Sequence, residues 1–447
     1  MRHFTLPAGF SRVAVRLCVL PVLFASVLFW HSSATSVKAA TSQVVSHTIK
    51  AHPLSQPTEQ APANPYKVLF KCQLPNAPFR CYSPQQIHRA YSYTPLYQEG
   101  ITGKGQTIVI IDAFQDPTIR SDLQKFDATF GLPTPTFNII APQGLPPFDP
   151  NDPNQAGFAL EIALDVEWAH AVAPGATIDL VLAKSNQDAD MFGVTKYAVD
   201  HNLGSVISQS FGEAETCVDP TLLALEHQTF ARATAKRITL LASSGDQGVA
   251  QPSCDGKTFI KSAGYPASDP YVMAVGGTEL FATVNGVYRN EITWNETDLG
   301  LPYNIASGGG FSTIFSRPSY QNGVVNLDNR GVPDVAYNAG VNGGVLVVFG
   351  GSVLLVGGTS AGSPQWAGIV ALAEQSEGER IGLLNRIVYH IGESSARVST
   401  FHDIIAGNNA FFFLNKSLSF TGFAAQTDWD AATGWGTPIV SKLVPRL

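Results

Sequence analysis

The sequence predicts an α/β fold in which a parallel β-sheet carries helices on both faces. Runs of apolar and β-branched residues that end in Gly, Ser or Asp alternate with stretches of helical spacing. Strands that alternate with helices form parallel sheets covered on both sides. The composition agrees, since the 447 residues are 45% hydrophobic and 14% charged, which excludes a coiled coil and an extended disordered chain.

The predicted elements follow one another in a regular order. Runs predicted to be strands of one sheet lie at residues 103–114, 176–183, 204–212, 237–248 and 271–280. Stretches predicted to be helices lie at residues 157–173, 187–202 and 219–236. The apolar run 344–358 contains glycine pairs, so we interpret it as two strands and a turn. In a sheet of this kind, sites lie at the carboxyl ends of the strands.

The N-terminus predicts export. Arginines precede the apolar run 17–30, and the small residues Ala39 and Ala40 follow it. This pattern is typical of a secretory signal cleaved after one of these alanines, so residues 1–40 are the predicted leader. An uncleaved anchor is the alternative, but the run is shorter than the roughly 20 residues of a membrane-spanning helix. We therefore expect a secreted, extracellular protein without a membrane partner after cleavage.

The remaining chain divides into two parts. Residues 41–80 begin with a stretch rich in Ser, Thr, Pro, Gln and Ala, which indicates a short pro-segment or linker. Residues 81–447 are expected to form one long domain and to act as a monomer. The formal net charge is −7, and the leader holds four basic residues and no acid, so the mature chain is more acidic still. Nucleic acid is therefore excluded as a partner.

Cysteine usage agrees with an oxidising compartment. Cys18 leaves with the leader, so Cys72, Cys81, Cys217 and Cys254 remain. Three pairings are possible, and we prefer Cys72–Cys81 with Cys217–Cys254. A zinc site would need a tighter cluster of ligands.

Ser360 is a candidate nucleophile. Residues 356–375 contain an apolar strand, a glycine turn, small residues and a helix with Pro364 near its start. Ser360 would then lie at a helix N-terminus, where free N–H groups and the helix dipole favour a developing oxyanion. The alternative is that Ser360 only caps the helix.

A base for this serine is expected from carboxylates. None of the ten histidines is followed by glycine, so a His-based triad is poorly supported. Glu161 and Asp165 are four residues apart and share one helical face. No Lys or Arg lies between Lys125 and Lys184 to pair with them, which argues against a solvated acidic face. A pair sharing a proton can act as a general base in acid, where an imidazole is already protonated.

Asp246 is the third candidate. It follows an apolar strand and lies between two glycines. It is either an ordinary turn residue or a protonated acid that donates a hydrogen bond to the oxyanion of a tetrahedral intermediate.

Together these motifs resemble the sedolisin family, the serine-carboxyl peptidases. The matching motifs are ExxxD at 161–165, SGD at 244–246 and GGTSAGSP at 357–364. Further matching stretches occur at 82–91, 265–278, 307–312 and 330–340. The resemblance implies an enlarged subtilisin-like fold, with residues 81–447 as the peptidase domain.

The resemblance also implies roles for individual residues. Ser360 would be the nucleophile, Glu161 its base, Asp165 the orienting partner and Asp246 the oxyanion donor, while Asp112 would extend the carboxylate network. The extended segments 210–212 and 307–310 would pair with the substrate backbone.

A C-terminal calcium site is implied as well. By resemblance, Asp403 and Asp430 would bind Ca²⁺ through their carboxylates, and Ile404, Gln426 and Asp428 through their carbonyl oxygens. The alternative is a pair of ordinary Asx-rich turns. Positions 426 and 428 are often Gly in the family, so the loop geometry and charge of this chain differ.

The predicted function is a secreted, acid-active serine-carboxyl peptidase that acts on peptide or protein substrates with bound calcium. A non-catalytic secreted peptide-binding protein on a peptidase scaffold is the alternative. Two further departures bear on this prediction. About 40 residues separate the leader from the core, too few for the large pro-domain that the family usually carries, and Phe211 stands where Trp is common.

Overall fold

A computed structural model describes residues 48–49, 53–58, 70–74, 76–297 and 299–447. The predicted leader, residues 1–40, lies outside this range. All described residues belong to one unit, Ser46–Leu447.

The secondary structure alternates along most of the chain. The strands are Leu54–Pro57 (β1), Cys81–Tyr82 (β2), Thr107–Ala113 (β3), Thr136–Ile140 (β4), Thr177–Ala183 (β5), Val206–Gln209 (β6), Glu213–Ala214 (β7), Thr239–Ser243 (β8), Ala250–Pro252 (β9), Phe259–Lys261 (β10), Gly264–Tyr265 (β11), Met273–Ala282 (β12), Tyr288–Thr293 (β13), Asn295–Glu296 (β14), Ile305–Ala306 (β15), Gly310–Ser316 (β16), Asn329–Val332 (β17), Val335–Asn338 (β18), Gly344–Phe349 (β19), Ser352–Gly357 (β20), Phe401–His402 (β21), Phe411–Phe412 (β22), Ser419–Phe420 (β23) and Thr437–Pro438 (β24). The helices are Pro84–Ala90 (α1), Thr94–Gln98 (α2), Ile119–Phe130 (α3), Pro153–Val172 (α4), Asp188–His201 (α5), Pro220–Ala235 (α6), Gly362–Glu377 (α7), Leu384–Glu393 (α8), Arg397–Thr400 (α9) and Val440–Leu443 (α10). None of these described helices is long and apolar enough to cross a membrane.

A large parallel sheet organises the described chain. Its strand order is β13-β12-β8-β6-β3-β5-β4, and β18 also pairs with β12. Every pair in this sheet is parallel except β12 with β13. The predicted strand runs supply β3, β5, β6, β8 and β12 in chain order. The carboxyl ends of these strands therefore lie at one edge of the sheet.

Helices cover both faces of this sheet. Ile108 and Ile110 of β3 are buried in the core that contains residues of α4 and α7. Val109 and Ile111 alternate with them and are buried in a second core with residues of α5 and α6. Strands buried on both faces have continuous apolar sequences, as β3 does. The predicted α/β architecture is confirmed.

Helix α4 starts earlier than predicted. Asp152 accepts a hydrogen bond from the N–H of Asn154 at 2.9 Å, and Pro153 occupies the first turn. An Asp cap followed by Pro at the first helical position is a strong start signal. The helix is buried from Phe158 to Val172, as the unpaired acids in its apolar sequence predicted.

Helices α4 and α7 pack against each other closely. A Cβ atom added at Gly368 of α7 would lie 2.4 Å from Cγ1 of Val172 in α4. Because Gly368 has no side chain, the two helices can approach closely at this point. This approach also sets the distance between the other side chains on α4 and α7.

The run 344–358 forms the predicted hairpin, β19 and β20, which are antiparallel. Buried acids hold it in place, because Glu167 accepts a hydrogen bond from the N–H of Val348, and Asp122 accepts from those of Gly350 and Gly351, each at 2.8 Å. The hairpin leads directly into the segment that contains Ser360.

The preferred disulfide pairing is confirmed. Cys72 bonds Cys81, and Cys217 bonds Cys254, with Cα–Cα distances of 5.3 and 5.2 Å. The first bond fastens the segment predicted as a pro-segment or linker to β2. That segment also contributes β1, which pairs antiparallel with β20.

Candidate active site

Ser360 lies between the hairpin and a buried helix. It belongs to a 3-10 turn, Thr359–Ala361, which leads into α7. The N-cap residue of α7 is Ala361, and no side chain caps the helix. The interpretation of Ser360 as a helix cap is therefore wrong. Its Oγ donates a long hydrogen bond of 3.4 Å to the carbonyl oxygen of Ser210, and the residue is 7% exposed.

Helix α4 brings two acids to this hydroxyl. Glu161 and Asp165 lie one turn apart and are fully buried, as is Asp112 at the end of β3. Burial raises the pKa of Glu161 well above its ordinary value, and the charges of Asp165 and Asp112 raise it further. The Ser360 hydroxyl acts in the opposite direction on the same carboxyl. The structure thus places the predicted nucleophile and the predicted carboxylate pair together.

Burial raises the pKa of all three acids. None of their carboxyl oxygens makes a hydrogen bond within the described part of the chain. Burial raises the pKa of Asp165 to about 8, although the polar side chains of Ser210 and Glu161 reduce the effect. Burial and the Asp165 charge raise the pKa of Asp112 well above its ordinary value. Carboxyls this close cannot all ionise in a dry site, so the cluster holds protons over the acidic range.

Asp246 lies across from this cluster at the end of β8. Its Oδ1 accepts hydrogen bonds from the N–H and the hydroxyl of Thr359, at 2.9 and 2.8 Å. Burial raises the pKa of Asp246 to about 6, against the lowering effect of these two bonds. Its Oδ2 makes no hydrogen bond to any described residue, whereas Oδ1 makes both bonds to Thr359.

Thr359 is a site residue that the sequence reasoning missed. Besides donating to Asp246, its hydroxyl accepts a hydrogen bond from the N–H of Gly245 at 3.1 Å. It therefore connects the segment of the candidate nucleophile to the loop of the candidate oxyanion donor. In the sequence, Thr359 could have been identified as a site residue from its position immediately before Ser360.

A cavity opens beside Ser360. It has a volume of about 60 Å³ and is lined by residues at the ends of β6 and β8, by Asp246 and Gln251, and by Ser360 itself. No histidine lines it. Among the histidines in the described ranges, the buried His170 pairs with Asp127 at 3.1 Å. The predicted carboxylate pair, Glu161 and Asp165, is therefore the candidate base for Ser360.

The two segments predicted to pair with a substrate backbone differ in their surroundings. In the segment 307–310, the N–H groups of the first three residues donate to the carbonyl oxygens of Trp294, Gly245 and Gly248, at 3.0, 2.7 and 3.4 Å. These three donors are occupied within the protein, so pairing with a substrate through 307–310 stays a prediction. The segment 210–212 does border the cavity.

The loops predicted to bind calcium have some features that favour calcium binding and others that oppose it. The carbonyl oxygens of Ile404, Gln426 and Asp428 accept no hydrogen bond from any described residue. Free carbonyl oxygens beside a carboxylate are the ligands that calcium prefers. The Asp403 carboxylate lies near them and accepts a hydrogen bond from the N–H of Asp428 at 3.2 Å.

Two other contacts reduce the number of free carboxylates. The guanidinium of Arg397 contacts the carboxylates of both Asp403 and Asp428. Asp430 accepts hydrogen bonds from three backbone N–H groups and from the Thr433 hydroxyl. In the described part of the chain, no group of three or more His, Cys, Asp or Glu residues could hold a metal ion. The calcium site therefore stays a prediction.

Comparison with known proteins identifies the family. The sequence profile of the subtilase family matches residues 152–391, more than half of the chain. The chain belongs to the subtilase family. Among relatives of this subtilase, kumamolisin from Bacillus sp. (strain MN-32) is 34% identical over 392 residues, which cover 85% of this chain and 66% of kumamolisin. Sedolisin from Pseudomonas sp. (strain 101) is 34% identical over 356 residues, which cover 76% of this chain and 58% of sedolisin.

A solved structure supports the same assignment. Pseudomonas sedolisin, a serine-carboxyl proteinase complexed with two molecules of pseudo-iodotyrostatin, matches this subtilase with a TM-score of 0.72 and 30% identity. The match covers 82% of this chain and 98% of that one. The predicted resemblance to the sedolisins and the subtilisin-like fold are confirmed. The chain spans 66% and 58% of the length of kumamolisin and sedolisin.

Proposed function

We propose that the chain is a serine-carboxyl peptidase, which hydrolyses peptide bonds in acid through an acyl-enzyme on Ser360. The observation that carries this proposal is the burial of Glu161 and Asp165 beside the Ser360 hydroxyl. The similarity to sedolisin, a serine-carboxyl proteinase, supports it.

In the acylation step, Ser360 Oγ attacks the carbonyl carbon of the scissile bond while Glu161 accepts the hydroxyl proton. The new C–O bond moves the carbonyl electron pair onto its oxygen. The proton on Asp246 Oδ2 then forms a hydrogen bond to this oxyanion, which is most effective in a water-poor site. Asp165 orients Glu161 and shares its proton, and Asp112 extends this network.

Collapse of the tetrahedral intermediate breaks the C–N bond, and Glu161 returns the proton to the leaving amine. Water then attacks the ester and transfers a proton to Glu161. Breaking of the ester bond releases the carboxylic acid and restores the Ser360 hydroxyl. Glu161 must be ionised to accept this proton, and its raised pKa makes the ionised form a stronger base while reducing the fraction that is ionised in acid.

The test is peptide cleavage at about pH 4, near the ordinary pKa of a carboxyl group. Ser360→Ala and Glu161→Gln should each lower kcat/KM by about 10³-fold or more. Glu167→Gln is the matched control, since Glu167 is a buried acid of the same helix that binds the Val348 N–H rather than Ser360. It should keep most of the activity.

Full activity in Ser360→Ala would refute the proposal. A wild-type protein that binds peptides without cleaving them, with the same affinity as Ser360→Ala, would instead support the non-catalytic peptide-binding alternative.

We also propose that the C-terminal loops bind Ca²⁺ through Asp403, Asp430 and the carbonyl oxygens of Ile404, Gln426 and Asp428. The bound ion would have a structural role. It would stabilise the folded state, because it binds that state and not the unfolded chain.

Removing calcium with a chelator should lower the melting temperature by at least about 3 °C, and Asp403→Ala should lower it similarly and abolish the chelator effect. Asp328→Ala is the control, because the Asp328 side chain is 99% exposed. A melting temperature that is unchanged by the chelator would rule out a structural ion.

Finally, we propose that the chain is secreted as a monomer after loss of residues 1–40, with residues 41–80 as a short pro-segment or linker before the peptidase domain at 81–447. Mass spectrometry of the mature N-terminus tests this division, and a mature protein that begins with Met1 would contradict it.

A further inference from the structure

Gln251 of β9 is an unusual residue in the cavity beside Ser360. It is 5% exposed and lines the cavity together with the candidate nucleophile. Its carboxamide nevertheless makes no hydrogen bond to any residue that the structure describes. Neither atom of this carboxamide is among the fully enclosed polar atoms without a partner in the described chain, so the group is open to the cavity. An unpaired carboxamide that borders a cavity points to a ligand group that pairs with it.

Backbone on two sides fixes the position of this carboxamide. A Cβ atom added at Gly245 would lie 2.5 Å from Nε2 of Gln251, and one added at Gly264 would lie 3.1 Å from the same atom. Both glycines line the cavity. The amide therefore lies between two glycines, one in the loop after β8 and one in β11, and neither has a side chain in its way.

Charge around the cavity narrows the choice of ligand. The lining residues include no Lys, Arg, His or Glu, and the single acid, Asp246, is held by Thr359. A charged side chain that entered the cavity would lose its hydration without gaining an ionic partner, which is costly. A carboxamide offers one donor group and one acceptor group, so a second carboxamide can form two N–H···O bonds with it.

The size of the cavity agrees with such a side chain. One water needs roughly 10–15 Å³ of comparable volume, and the cavity has about 60 Å³. This space suits a few heavy atoms, as in the side chains of glutamine and asparagine.

We propose that this cavity receives the side chain of the substrate residue whose carbonyl group Ser360 attacks, and that Gln251 selects glutamine or asparagine there. The inference rests on the proposed peptidase function and specifies its substrate class. Gln251 is then a specificity-determining residue that contacts the substrate without taking part in proton transfer.

The experiment compares peptides that differ only at this residue, which is Gln, Met or Lys. Met has nearly the shape of Gln and cannot form the paired bonds. The wild-type protein should cleave the Gln peptide with a kcat/KM about tenfold or more above that of the Met peptide, and should cleave the Lys peptide more slowly than either. Gln251→Met should reduce kcat/KM for the Gln peptide about tenfold and leave the Met peptide unchanged or faster.

The outcomes distinguish the role of Gln251 from the proposed peptidase function. Equal cleavage of the Gln and Met peptides by the wild-type protein would overturn the role of Gln251 while leaving the peptidase function intact. A Gln preference that persists in a folded Gln251→Met variant would overturn it as well. If that variant does not fold, the wild-type comparison decides alone. No cleavage of any peptide would overturn the proposed function and this inference with it.

Discussion

At the scale of single residues, the two oxygens of Asp246 differ in their surroundings. Oδ1 accepts two hydrogen bonds from Thr359, whereas Oδ2 has no partner in the described chain. Burial raises the pKa of this carboxyl to about 6. Below that pH the acid is neutral and can donate to an oxyanion, and above it the carboxylate would repel the same charge.

The wild-type kcat/KM should therefore fall as pH rises through about 6. In Asp246→Asn the amide donates at every pH, so this decline should disappear. Profiles of kcat/KM between about pH 3 and 9 test this expectation. Asp246→Ala, which has no donor, should lose about 10²–10³-fold throughout. An identical decline near pH 6 in Asp246→Asn would show that another group titrates there.

At the scale of secondary-structure elements, the contact between α4 and α7 sets the geometry of the site. Glu161 and Asp165 lie on α4, and Ser360 lies in the turn that leads into α7. Both helices are buried along most of their length. The close approach at Gly368 is therefore a constraint on the distance between base and nucleophile.

Substitution of Gly368 by Ala should be destabilising. In an ordinary helix the change stabilises by about 0.5–1 kcal/mol, but here the new methyl would lie 2.4 Å from Val172. We expect a net loss of about 1–3 kcal/mol in the free energy of unfolding and a lower kcat/KM. Denaturant unfolding measures the first quantity, and peptide cleavage measures the second.

The double variant Gly368→Ala with Val172→Ala removes the clash and is the matched control. It should recover activity relative to the single Gly368→Ala variant, because the two sites are in contact and their effects are not additive. A Gly368→Ala variant that is more stable than the wild-type protein and equally active would refute this account of the helix contact.

At the scale of the whole molecule, buried acids make stability depend on pH. Burial is the main cause of a raised pKa in several carboxyls of the described chain, and it raises the pKa of Asp165, Glu213 and Glu226 to about 8. Ordinary carboxyls in an unfolded chain titrate near about pH 4. Between these two values the folded state binds more protons than the unfolded state, so the free energy of unfolding falls as pH rises.

The melting temperature should accordingly decrease from about pH 4 to about pH 8, where a typical globular protein is near its optimum. Thermal unfolding followed by circular dichroism across this range tests the expectation. Glu167→Gln should reduce the slope, because burial raises the pKa of Glu167 well above its ordinary value. A melting temperature that increases steadily with pH over the same range would contradict it.

Local patterns were enough to predict five strands of the eight-stranded main sheet and the candidate site residues that lie on one helix or one turn. Glu161 and Asp165 follow from helical spacing, and Ser360 follows from a strand, a glycine turn and a helix. Alternating strands and helices likewise predict a parallel sheet that is covered on both faces. These features depend on neighbours in the chain, so the sequence displays them directly.

Features that depend on distant parts of the chain were not predictable in the same way. Gln251 lies between Gly245 and Gly264 only because β8, β9 and β11 come together in the fold. The segment 307–310 has the same extended sequence whether its N–H groups face a substrate or the protein. Nothing in the sequence near Arg397 indicated that its guanidinium would contact two of the predicted calcium ligands.

The most direct test of the central claim is to trap the acyl group on Ser360. An activated peptide ester would react with the enzyme at about pH 4, and an acid quench followed by mass spectrometry would locate the added mass. We predict an adduct on the peptide that contains Ser360 in the wild-type protein, and none in Ser360→Ala or Glu161→Gln. Turnover of the ester with no adduct, or with the adduct on a different residue, would contradict the account.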